Sequence, residues 1–405
     1  MSVKHAFLGL LAEGPLHGYE LKLSFEERLQ PGWRSCRRCS TSKEASLPGV
    51  ILGNWKQPEV KGGGVALMLG MDIGGTKVAV GRVTEDGTVQ GEVMEFPSPS
   101  AGPDEFVEAL LEQLREVRAR IEEDILGVGV GCAGTIDWHE RRVVESPNLP
   151  LEDEPLGDQI AKALGLPVVL DNDANTATLA EVRVGAAKGM SHVIMLTLGT
   201  GVGGGIVLDG KLYRGATGSA GELGHTIVNG NDDLCRCGRR GCLEQYASGT
   251  ALERYSRRIV DHGRLASAVG GDDAADAAAE RPEDYTKRLS ELAAASPSRA
   301  SSPTLLPFRS SAAARDAVAE VAYWLGVGLA NMANIFNPDM IVIGGGLSSL
   351  GDLLLEPARK VMEAHAIRPN GTVAQVTAAQ LGNEAGVVGA ALVAWEVLED
   401  VTLPV

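Results

Sequence analysis

The chain has 405 residues, 44% of them hydrophobic, enough for two or three domains with buried cores. Its 37 basic residues against 53 acidic ones leave a formal net charge of −16. That balance argues against a general nucleic-acid-binding role, because a phosphate backbone needs a positive face, and the absence of any apolar run of about 18 residues argues against a membrane-spanning helix.

Residues 1–64 read differently from the rest. His5 to Leu11 has helical apolar spacing, Gly14-Pro15 breaks it, and a second helix fits Tyr19 to Leu29. From Gln30 the chain is irregular, with Arg34, Arg37 and Arg38 around Cys36 and Cys39. The run at 5–22 resembles the first two helices of PadR-type winged-helix repressors. A winged helix needs a third helix for the DNA groove, and none is readable here, so a truncated extension without a working DNA-binding module is expected. Cys36-x-x-Cys39 lacks the second pair that a metal site needs. Lys61-Gly62-Gly63-Gly64 has linker composition.

Val65 to Val83 holds two apolar runs around Gly74-Gly75, which predicts a hairpin of buried strands. Asp72 ends the first strand. Gly74, Gly75 and Thr76 form either a plain turn or one whose amides face a phosphate, since glycine permits close backbone approach. Phe106 to Ile121 is amphipathic at helical spacing, and Leu126 to Val130 is a strand leading into a glycine-bearing loop at 131–137. Asn148 lies in the loop Ser-Pro-Asn-Leu-Pro. A strand at Leu166 to Leu170 runs into Asp171-Asn172-Asp173-Ala174-Asn175 and then a helix. A carboxylate between a strand end and a helix start sits where α/β folds bind ligands. Asp173 there is either a helix cap or a group able to take a proton from a hydroxyl.

His192 to Leu208 repeats the strand, glycine turn, strand pattern, with Thr200-Gly201 at the turn. Two such hairpins suggest duplicated halves, each offering amides to one nucleotide's phosphates. Between Glu222 and Glu244 lie His225, Cys235, Cys237 and Cys242. Three thiolates and one imidazole complete a tetrahedral zinc shell with no open position, so a structural metal is expected that pins a loop carrying Glu222 and Glu244 at its ends. Clustered cysteines without a disulfide framework point to a reducing cytoplasm. Residues 263–313 are rich in Ala, Ser, Asp, Pro and Arg and read as a helical insert. Asp316 to Asn334 is a helix with small residues for close packing, Met340 to Ile343 a buried strand, Gly344-Gly345-Gly346 a turn, and Gly386 to Val397 a closing apolar helix.

Together, D-I-G-G-T-K at 72–77, D-N-D-A-N at 171–175, L-G-T-G-V-G-G-G at 198–205, E-x-G-H at 222–225, C-x-C-G-x-x-G-C-x-E at 235–244 and I-G-G-G at 343–346 resemble the ROK family of repressors and sugar kinases, over roughly residues 66–400. The resemblance implies an α/β, actin-like ATPase (ribonuclease H-like) fold of two lobes with a structural zinc loop. A small lobe would span 65–171, completed by a C-terminal helix at 388–405, and a large lobe 172–387. It implies a glucokinase-type transfer from ATP with Mg2+, with Asp173 as general base. Asn148, Asn172, Glu222, His225 and Glu244 would bind the sugar. Asp72, Gly74, Gly75, Thr76, Lys77, Thr200 and Gly201 would clamp phosphate and magnesium, and Gly344 and Gly345 would wall the adenosine. It further implies a homodimer. Another ROK hexose kinase (for N-acetylmannosamine, fructose or allose), a polyphosphate donor, or a sugar-responsive repressor are the rival readings.

Overall fold

The structure is a computed structural model and describes residues 65–99, 102–230, 233–261 and 312–400. The N-terminal extension and nearly all of the 263–313 insert lie outside the described residues.

Strands β1 (Leu67–Ile73), β2 (Lys77–Val83), β3 (Val89–Pro97), β4 (Ile125–Cys132) and β8 (Val168–Asn172) form one sheet in the order β3-β2-β1-β4-β8. Strands β9 (Val193–Leu198), β10 (Val202–Leu208), β11 (Lys211–Leu212), β12 (Met340–Gly344) and β13 (Gln375–Ala378) form a second, in the order β11-β10-β9-β12-β13. In each, the central strand pairs antiparallel with its hairpin partner and parallel on its other side. The duplication suggested by the two glycine hairpins is therefore a duplication of topology. A small sheet of β5 (Thr135–Asp137), β6 (Arg142–Glu145) and β7 (Glu152–Glu154) branches from the first.

The outer face of the first sheet carries Leu67, Leu69, Met71 and Ile73 against Phe106, Leu110 and Leu114 of helix α1 (Pro103–Ala119) and against α2 (Leu156–Leu164). The outer face of the second carries Ile194, Leu196 and Leu198 against Val321, Leu325 and Leu329 of a later helix, Ala312–Phe336. Each such buried side chain contributes about 1.5–3 kcal/mol. The alternation is the period of two that strands impose.

The inner faces pack on two helices laid against each other, α3 (Asp173–Arg183) and the C-terminal helix Ala385–Asp400. With α4 (Gly249–Asp261), α5 (Ala312–Phe336) and α6 (Asp352–His365) between them in sequence, the last helix is α7. It is apolar nearly all round because it is buried on both sides. The closest contacts are made at glycines. Gly70 and Gly129 are register partners on β1 and β4, and a Cβ on them would overlap the carbonyl oxygens of Val387 and Ala390 of α7. A Cβ on Gly389 of α7 would overlap the carbonyl of Thr176 on α3, and one on Gly205 of β10 would overlap the Thr178 hydroxyl of α3. The alternating glycines 127, 129 and 131 of β4 thus face inward, a pattern the strand reading passed over.

Strand β8 extends to Asn172, beyond the expected end at Leu170. Asn172 caps α3 by accepting the amides of Ala174 and Asn175, so Asp173 is its first helical residue. Helix α5, Ala312–Phe336, reaches beyond the expected 316–334 at both ends. Strand β3, the small sheet, α2, α6 and β13 were not among the elements expected, although α2 and α6 each bury one apolar face. No helix among the described residues is long and apolar enough to cross a membrane.

Gly129→Ala is expected to lower unfolding free energy by about 3 kcal/mol or more, since overpacking here meets backbone that has no room to move. Gly230→Ala, whose Cβ meets nothing within 4 Å, should stay within about 0.5 kcal/mol. Equal urea midpoints for both variants would refute the close helix–sheet contact.

Candidate active site

A carboxylate stands at the start of each inner helix, one on the helix itself and the other on β1 beside it. Asp173 opens α3, where its Oδ1 accepts the amide of Ala174 at 2.9 Å. Asp72, at the end of β1, lies against Gly386 in the first turn of α7, where a Cβ would stand 2.6 Å from Asp72 Cγ. A helix start favours negative charge. Burial still dominates: it raises the Asp173 carboxyl above its ordinary range, and burial together with the neighbouring Asp173 charge lifts Asp72 to about 6. The Cys132 thiol is fully buried at the end of β4, and burial plus the charges of Asp173 and Asp72 push it far up, so it is inert as a nucleophile.

Facing them is the loop from Tyr213 to His225. Glu222 is raised by burial, with His225 opposing and Asp173 and Glu244 reinforcing the shift, which brings all four groups into one electrostatic neighbourhood. His225 Nε2 lies 3.8 Å from Glu222 Oε2. On its other side, His225 Nδ1 lies 3.6 Å from Cys235 Sγ, and Cys237 Sγ lies 3.6 Å from Cys242 Sγ. The ligand atoms of His225, Cys235, Cys237 and Cys242 all fall within 4.8 Å of one another. Those sulfur separations are far too long for disulfides, and the donor set is that of a closed tetrahedral zinc site. Gly241, at φ 80°, lets the chain return so that Val228 and Gly241 pair and Cys242 meets Ile227 across an isolated bridge.

One residue that the motifs did not signal ties the loop to the helix start. Arg214 donates from Nε to Asp171 Oδ2 at 2.7 Å, and its guanidinium lies 4.9 Å from the Trp138 ring centroid. Asp171 is 1% exposed and also accepts Asn175 Nδ2 and the Asn172 amide, each at 2.8 Å. An isolated arginine in a loop gives no periodic or spacing signal, which is why sequence reading missed it.

The two glycine turns flank the carboxylates. The first is closed by Gly74 N to Lys77 O at 3.0 Å and by Ser98, whose amide reaches Thr76 O at 3.0 Å. Gly75 packs on Asn148, with a Cβ position 2.8 Å from the Asn148 carbonyl oxygen. Lys77 pairs with Glu95 on β3. The second turn, at Thr200 and Gly201, meets Glu244, whose Oε2 accepts the Val202 amide at 3.1 Å. Gly345, at φ 74°, lies on the backbone of Leu198 just before that turn, where a Cβ would come 2.6 Å from the Leu198 nitrogen, and Gly344 ends β12 beside it. Asn172 spends its carbonyl on the cap and one amide hydrogen on Gly134 O at 2.9 Å, leaving one donor for a ligand.

Two sheets of one topology, back-to-back inner helices and a glycine turn on each side of a carboxylate-lined cleft define an actin-like ATPase fold. A family model described as the ROK family matches residues 68–397. The chain is 39% identical over 337 residues to the glucokinase of Streptomyces coelicolor, covering 82% of this chain and 98% of that one. It is 34% identical over 327 residues to the glucokinase of Halalkalibacterium halodurans, covering 79% and 92%. Among solved structures, the ROK family glucokinase of Streptomyces griseus in complex with glucose and AMPPNP is 38% identical, with a TM-score of 0.66, covering 82% of this chain and all of that one. The chain belongs to the ROK family. The match begins at residue 68, and the PadR-like reading of residues 5–22 is not borne out by it.

Two measurements check this geometry. Arg214→Ala leaves Asp171 buried and unpaired and should cost about 3–5 kcal/mol of stability, with Asp171→Asn restoring part of it; a loss within about 0.5 kcal/mol would mean the pair is solvated. For Asp72 the folded pKa is raised, so the folded state binds more protons than the unfolded one between pH 4 and 6, and stability falls as pH rises through that window. Asp72→Asn should therefore raise Tm by a few degrees at pH 7.5 without divalent cation, with the gain vanishing toward pH 4. A gain that is largest at low pH would contradict the assignment.

Proposed function

We propose that this chain transfers the γ-phosphoryl group of ATP to glucose, forming glucose 6-phosphate and ADP. The observation that carries the reading is the Asp173 carboxylate, buried at a helix start and electrostatically linked to Asp72 on one side and Glu222 on the other.

A sugar hydroxyl is a weak nucleophile at its own pKa. Asp173 accepts its proton as the new O–P bond forms and the bond to ADP breaks, and a carboxyl raised by burial is a better base than a solvated one. Glu222, Glu244, His225, Asn172 and Asn148 orient the sugar by accepting and donating hydrogen bonds. The amides around Gly74, Gly75 and Thr76, and around Thr200 and Gly201, hold phosphate oxygens in line, with Lys77 at the edge. Most of the rate acceleration comes from that positioning and charge stabilisation. Gly344 and Gly345 present bare backbone to the adenosine.

Two buried carboxylates, one of which raises the other while Lys77 only partly offsets the shift and pairs with Glu95, suit a divalent ion. Bound magnesium supplies countercharge for the phosphoryl oxygens, and Asp72 is the residue that would hold it. Zinc fits His225, Cys235, Cys237 and Cys242, and its role is to fix the loop that carries Glu222 and Glu244. Free thiols at that spacing agree with a reducing cytoplasm, and the family resemblance supports a homodimer and lobes that close over the sugar. A sedimentation mass of one chain would refute the dimer. Recovery of the chain outside the soluble cell fraction would refute the location.

Asp173→Asn is expected to reduce turnover by about 10²–10⁴-fold while glucose still binds. Loss of glucose binding together with turnover would make Asp173 structural. A hexose panel at fixed ATP, repeated with polyphosphate, fixes acceptor and donor; a preference for N-acetylmannosamine, fructose or allose, or specific promoter binding without ADP release, would replace this reading with one of its rivals.

A further inference from the structure

The segment that follows the last metal-site cysteine closes on the second glycine turn at three points. Glu244 Oε2 accepts the Val202 amide at 3.1 Å, and the Gly201 Cα lies so near this carboxylate that a Cβ would stand 3.1 Å from its Cδ. The Gly249 amide donates to Gly199 O at 2.7 Å. Thr250 Oγ1 donates to Thr200 O, also at 2.7 Å. The other oxygen of Glu244 lies 3.5 Å from Cys235 Sγ, so one carboxylate touches both the cysteine knot and the turn. Leu243, between Cys242 and Glu244, is 0% exposed and wedged against Gly328 of α5, which prevents this segment from shifting independently.

Elsewhere the turn is flanked by Gly224, packed on the Val202 carbonyl, and by Gly345, packed on Leu198. Its own backbone supplies one bond, Gly199 N to Gly201 O at 3.0 Å. The first glycine turn differs: it is closed by the Lys77 carbonyl and by Ser98, just past β3, with no hydrogen bond from the knot among the described residues. The two turns are equivalent in topology and are supported by unrelated means.

We infer that Glu244 and Thr250 are positioning residues that make the cysteine–histidine knot the foundation of the turn Gly199–Val202. The inference rests on reading that turn as a phosphate clamp and the knot as a zinc site. Metal occupancy and nucleotide affinity are then thermodynamically linked, and the linkage is reciprocal. It passes through the second turn and leaves the first one unaffected.

The test uses the full chain, with calorimetric binding of AMPPNP and of glucose, zinc content by atomic absorption, and circular dichroism for folding. Thr250→Val in zinc-loaded protein should weaken AMPPNP binding on the order of fivefold or more, with zinc content and glucose affinity unchanged, and Thr250→Ser should restore it. Chelation of zinc should weaken AMPPNP comparably in the wild type and add little in a Glu244→Gln, Thr250→Val protein. Unchanged AMPPNP affinity after Thr250→Val, or after zinc removal from protein that stays folded, overturns the inference. If chelation unfolds the chain, the Thr250→Val and Thr250→Ser pair decides alone. Protein that never holds zinc removes the metal reading and this inference with it. Zinc-bearing protein that binds no AMPPNP refutes the proposed phosphotransfer instead.

Discussion

Everything in the described structure depends on how closely two helices can approach each other and the sheets on either side. Helices α3 and α7 lie back to back between the two sheets, and at each interface a glycine permits the approach: Gly70 and Gly129 under the α7 backbone, Gly389 against the Thr176 carbonyl, Gly205 against the Thr178 hydroxyl. Interiors packed this tightly transmit small displacements. The stack also fixes where the helices start. Their first turns, with Asp173 and Gly386, open at one cleft, and Asp72 at the end of β1 is pressed against the second of them.

The cleft is correspondingly expensive in charge. Asp72, Asp173 and Glu222 are each raised by burial, and neighbouring carboxylates reinforce the shift at Asp72 and Glu222. A site that opposes its own ionisation favours partners able to offset it, such as a divalent cation and the donor hydroxyls of a sugar. Strain of this kind trades stability for readiness to bind. The Arg214–Asp171 pair works in the opposite sense. Its carboxylate is buried and bonded at both oxygens, and the pair fastens the Glu222 loop to the strand that delivers Asp173.

The loop between Glu222 and Glu244 joins tasks that the topology keeps apart. Its cysteines and histidine converge on one point, while its terminal carboxylates reach the neighbourhood of Asp173 and the second glycine turn. A metal held by these three cysteines and one histidine would leave both flanking carboxylates uncoordinated.

Much of this was written in local sequence. Hairpins around glycines, the amphipathic α1 and the apolar α7 follow from periodicity and turn chemistry, which neighbouring residues impose by themselves. Ligand-type spacing at His225, Cys235, Cys237 and Cys242 was likewise legible, since the donors lie in one short stretch. The role of the alternating glycines at 127, 129 and 131 was not, because a missing side chain has meaning only once the opposing atoms of α7 and α3 are in place. Nor were Arg214 and Thr250, whose partners are distant in the chain or are bare carbonyls that every residue possesses. The sequence determined which segments could become strands, helices and a metal loop, through interactions between near neighbours. Tertiary packing alone decided that two helix starts share a cleft and that the knot props up one glycine turn, because those contacts join residues that only the close approach of separate layers brings together.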